Sequence, residues 1–119
     1  MKSFIISTVL FLLLLTAIVF NALYVRSVSE SILEQAEQIG VSFDENAVIS
    51  LEEYWGKHRS FVGLTVGYRE LDHVCETLIS LRASCESGNR ADAMLYLSLL
   101  KDAAEEMARH EELSVSNLF

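Results

Sequence analysis

The chain predicts an all-α protein in which an N-terminal transmembrane helix continues into a small antiparallel bundle of about four helices. Three observations carry this expectation. Residues 4–23, FIISTVLFLLLLTAIVFNAL, hold no charge. The later stretches repeat apolar residues at steps of three and four, the period of a helix with one buried face. The 119 residues contain no proline, so no interior helical position loses a hydrogen bond to a pyrrolidine ring. With 51% hydrophobic and 22% charged residues, the chain has the apolar side chains that offset ordering entropy, which excludes disorder.

As a helix rising about 1.5 Å per residue, residues 4–23 span about 30 Å, the thickness of a bilayer's hydrocarbon core. The rival reading is a cleaved secretory signal, whose apolar region has about 7 to 15 residues followed by small side chains at the cut. Cleavage after Ala22 puts bulky Phe20 two places earlier, whereas Ser27 with Val25 is acceptable. Residues 1–24 are therefore expected to be a retained anchor, with a secreted helical bundle as the alternative. Lys2 precedes the span and Arg26 comes after it. The positive-inside tendency then keeps the short leading segment cytoplasmic and places residues 25–119 outside the cytoplasm, tethered to the cell membrane by a single pass.

The apolar pattern continues past the span through Val25, Val28, Ile32, Ala36 and Ile39, which predicts one uninterrupted helix ending at Gly40. Ser42 with Glu45 has capping-box spacing, and Asp44 competes as the cap of a second helix with the stripe Ala47, Val48, Leu51, Tyr54, Trp55 and His58. Gly56, Gly63 and Gly67 weaken the helix beyond this stripe, and a bend is expected between Ser60 and Tyr68. A third helix, about Tyr68 to Glu86, aligns Leu71, Val74, Cys75, Leu78, Leu81 and Cys85; Ser87, Gly88 and Asn89 end it. Asn89 with Asp92 caps a fourth helix to about Glu112, with Ala93, Leu97, Leu100, Ala104 and Met107 on its stripe. Leu95 and Leu99 fall off that stripe. They belong either to a broad core-facing side or to a second apolar face that meets a partner. The apolar tail from Leu113 to Phe119 is expected to fold back on the bundle. Leu95, Leu99, Leu118 and Phe119 are the candidate interaction surface.

Beyond Arg26 the balance is 7 basic against 17 acidic residues, or −10. Such a surface repels phosphate backbones and anionic headgroups, so nucleic acid is excluded as a partner.

Candidate chemistry is sparse. Glu70 and His73 form a Glu-x-x-His spacing, which in di-iron bundles puts both ligands on one helical face. One chain supplies one copy where two are needed, and the third stripe turns His73 toward water. His58 lies on the second stripe, where it is either a haem or zinc ligand or a core histidine bonded to a carbonyl. His110 comes one turn after Glu106, as at an exposed helix end. Glu70, His73 and His58 are thus weak metal candidates, and no cofactor is expected. Cys75 and Cys85 lie about 15 Å apart along one helix, too far for an internal bridge. They are expected to be small buried residues, or to join two chains if exposed in an oxidising space. No nucleophile with a base, phosphate loop or zinc cluster is present, which argues against an enzyme.

The order of features resembles an uncharacterised bacterial family found mainly in Firmicutes, domain of unknown function 4363. The resemblance covers the whole chain: Met1 and Lys2 before an apolar helix, Trp55 in the second helix, the run Leu78 to Arg82, and a close of Leu113, Ser114, Asn117, Leu118 and Phe119. The family's His-Glu-Glu-Ile-Asp-like run corresponds to Tyr68, Arg69, Glu70, Leu71 and Asp72, so its histidine is absent here. The resemblance implies a short, anchored helical protein acting as an accessory subunit, with no assigned reaction. The expected function is a membrane-anchored interaction module whose partners are the bilayer, through residues 4–23, and a membrane or envelope protein, with self-association possible. A metal or ligand sensor or di-iron bundle is the alternative.

Overall fold

The computed structural model describes residues 1–63 and 66–118, with side chains throughout except at Tyr68 and 110–118. Its helices are α1 (Lys2–Ser42), α2 (Glu45–Val62), α3 (Tyr68–Ser87) and α4 (Arg90–Leu118), with no strand among the described residues. The molecule is a rod, 67 × 23 × 21 Å.

The two parts of α1 have different surroundings because their side chains differ. From Phe4 to Leu23 the helix is apolar on every side and almost wholly exposed; it is long and apolar enough to cross a membrane. From Val25 onward only one stripe is apolar, and Val25, Val28, Ile32, Ala36 and Ile39 are fully buried as expected. That stripe is one wall of the core. Each helix packs on two neighbours in the ring order α1, α2, α3, α4 and back to α1, the square of an up-down-up-down bundle with short turns. Leu51 and Trp55 of α2, Leu78 and Leu81 of α3, and Leu100 and Met107 of α4 fill the middle.

The turns alternate between the two ends of the bundle. At the end far from the span, α1 does not stop at Gly40 but continues to Ser42. Gly40 has a packing role instead: a Cβ there would lie 3.2 Å from Leu97 Cδ2 of α4. Phe43 ends the helix in the left-handed region (φ 53°, ψ 37°), its N–H donating to the Ile39 carbonyl at 2.7 Å. This conformation costs a non-glycine residue about 1 to 2 kcal/mol. Phe43 has compensating contacts, since its ring packs on the core and lies 5.3 Å beneath the Arg90 guanidinium. Because Ser42 is still helical, the Ser42–Glu45 capping box does not form, and Asp44 caps α2 by accepting from the Asn46 N–H.

Gly56 does not interrupt α2, which ends at Val62. The expected break comes next, with Gly63 and Gly67 flanking it; residues 64 and 65 lie outside the described set. At the α3–α4 turn, Gly88 takes φ 72°, where a side chain would be strained. Asn89 then accepts from the Asp92 N–H at 3.1 Å and donates back to the Asp92 carboxylate at 2.8 Å. The fourth helix continues past Glu112 to Leu118. No glycine or proline stands between Arg90 and Leu118 to end it. The helical backbone therefore replaces the expected folded-back tail.

Candidate functional site

Where the apolar span meets the bundle, four rings gather. Tyr24 is the first residue after the span, and its hydroxyl is hydrogen-bonded to His58 Nδ1. Tyr54, one turn before His58 on α2, packs against the imidazole with centroids 4.4 Å apart, and exposed Phe61 meets Tyr24 edge-on at 6.2 Å. The arrangement is a product of topology, since α2 starts at the far end and returns antiparallel to α1. His58 thus has a phenol partner on another helix and not the carbonyl expected. Aromatic residues with one polar atom suit a membrane–water boundary, where the ring sits among apolar groups and the heteroatom remains wet.

Beside this cluster, Arg59, Ser60, Gly63, Val66, Leu71, Asp72 and Cys75 line an open hollow of about 400 Å³ between α2 and α3. The Trp55 indole N–H donates to Cys75 Sγ at 3.1 Å, and Arg59 approaches the same sulfur at 3.9 Å. The two donors hold the half-buried thiol in place. Cys85 lies at the opposite end, half-buried and free like Cys75. Burial, with Glu45 adding to it, pushes its thiol above the usual range and so disfavours the reactive thiolate.

The weak metal candidates are not gathered. His73 is exposed on α3, with its carbonyl accepting from the Thr77 hydroxyl. Glu70 folds over the start of its helix, its carboxylate 2.8 Å from where a Cβ on Gly67 would be. An acid in that first turn complements the helix dipole. His58 is engaged by Tyr24, and the His110 side chain lies outside the described residues. Among the described residues no three His, Cys, Asp or Glu side chains come close enough to hold a metal ion.

The candidate interaction surface is partly described. Leu95 and Leu99 are 54% and 36% exposed, so the broad core-facing reading fails; neighbouring Met94 is 59% exposed. Leu95 and Leu99 are one turn apart and share a face of α4. The Leu118 side chain and Phe119 lie outside the described residues.

Two structural participants were missed at the level of sequence. Ser29 stands alone as a polar residue on the buried α1 stripe, and its hydroxyl donates to the Ala104 carbonyl at 2.6 Å, fixing the register of α1 on α4. Its place between Val28 and Ile32 was the available signal. Tyr24 is the other, marked by its position at the edge of an uncharged run. Comparison with protein-family models, curated proteins and solved structures finds no match to this chain.

Proposed function

We propose that this protein is a membrane-anchored helical interaction module, an accessory subunit of a bacterial membrane or envelope complex, without catalytic activity of its own. Kinship with domain of unknown function 4363 belongs to the same proposal. The observation that carries it is the division of α1: a largely exposed apolar span and a buried core stripe on one unbroken helix. Retention of the span is supported by what cleavage would remove. A cut after Ser27 takes away Val25, which is fully buried, and Tyr24, the partner of His58. The proposed topology has the leading residues in the cytoplasm and the acidic bundle outside. Exposed Leu95 and Leu99 are the contact points proposed for a partner protein.

Crosslinking in native membranes, then purification under several detergents, tests this reading. We expect one partner in near-stoichiometric yield, lost from the Leu95→Glu, Leu99→Glu double variant while the bundle's helical signal is retained. Recovery of this chain alone under every condition would overturn it.

A further inference from the structure

We infer that the last turns of α4 enter the bilayer beside α1, so that the bundle is seated in the leaflet it faces instead of standing above it. This rests on residues 4–23 spanning the membrane. Two contacts set the register of the antiparallel helices: the Ser29 hydroxyl on the Ala104 carbonyl, and Gly40 against Leu97. From Ala104 to Leu118 α4 rises about 21 Å, while from Ser29 back to Leu23, where the apolar span begins, α1 covers only about 9 Å. Measured from the Gly40–Leu97 contact, the same distances are about 32 and 26 Å. Either way α4 passes the edge of the span by about 6 to 12 Å, less than the half-thickness of about 15 Å of a hydrocarbon core.

Charge ends close to the same boundary. Glu112 is the last charged residue of α4, and the two contacts put it within about 3 Å of the level of Leu23, to the inner side by one contact and the outer side by the other. From there to Leu118 the helix reads Leu-Ser-Val-Ser-Asn-Leu. Serine is tolerated at such a depth when its hydroxyl returns to a carbonyl one turn back, the bond that Thr8 and Thr16 make inside the span at 2.9 and 2.8 Å. On α1, the face that carries the core stripe continues into the span as Leu15, Ile18 and Ala22. These are half-buried while most of their neighbours are exposed. That is the flank along which an antiparallel α4 descends.

Depth-dependent quenching tests the inference on the full chain in phosphatidylcholine vesicles carrying a nitroxide near the headgroup. With Cys75→Ser and Cys85→Ser as background, a polarity-sensitive fluorophore is attached through Leu118→Cys, Val115→Cys, Leu12→Cys or Leu95→Cys in turn. Probes at 118 and 115 are expected to lose emission to the lipid nitroxide, shift to the blue and resist aqueous iodide. The probe at 95 should do the opposite. If positions 118 and 115 respond like 95 while position 12 is blue-shifted and resists iodide, the seating is wrong and the anchor stands. If position 12 is also water-exposed, the anchor itself fails and the inference with it.

Discussion

The first and second halves of α1 are one helix with two kinds of surface, and their comparison explains the design of the molecule. Around Leu12 the helix is apolar on every side and exposed; around Ile32 one flank is apolar and is fully buried by the bundle. The backbone is the same in both. What differs is the angular spread of apolar residues, which sets whether a helix satisfies its surroundings with lipid or with other helices. The handover occurs at Tyr24 and Val25, the former bonded to α2 through His58 and the latter in the core.

Substitutions can break each half separately. The largest expected effect is Ile32→Ala, which removes a fully buried side chain and should cost about 2 to 5 kcal/mol of bundle stability through lost transfer energy and a residual cavity. Thermal unfolding in detergent checks this, and the variant should still fractionate with membranes. Next is Leu12→Arg, which should raise the cost of insertion by about 3 kcal/mol at the middle of a span. Release by alkaline extraction checks it, with an unchanged melting temperature for the bundle. If either variant damages both properties equally, the two halves are not independent. The smallest effect tests a position that belongs to neither half: Gly56 of α2 has open space where a Cβ would be, so Gly56→Ala should stabilise α2 by about 0.5 to 1 kcal/mol and raise the unfolding midpoint.

The contrast also marks what is legible in the residues alone. Local periodicity is enough for the span, for the Val25–Ile39 stripe and for the helix order, because each depends on residues within one segment. Contacts between distant segments escape it. Gly40 reads as a terminator, since a glycine after a stripe commonly ends a helix; only the approach of Leu97 explains why it is interior. Ser42 reads as a cap, but the left-handed turn falls to Phe43 because Arg90 and the core hold its ring. His58 shares its stripe with Tyr54 as the spacing implies, yet its hydrogen-bond partner lies 34 residues earlier on another helix. Periodicity does not assign Leu95 and Leu99 to core or surface, since the width of a buried face depends on how neighbouring helices cross.

An unbroken α1 has a mechanical consequence. With no proline anywhere in the chain and no glycine before Gly40, nothing between span and bundle acts as a hinge. Reorientation of the apolar half must therefore swing the whole body as a lever. From Tyr24 to Ser42 the arm measures about 27 Å, so a tilt of about 20° carries its far tip sideways by about 9 Å. Under the anchoring proposed above, membrane thickness, which sets that tilt, would be converted into the position of the Phe43–Arg90 corner.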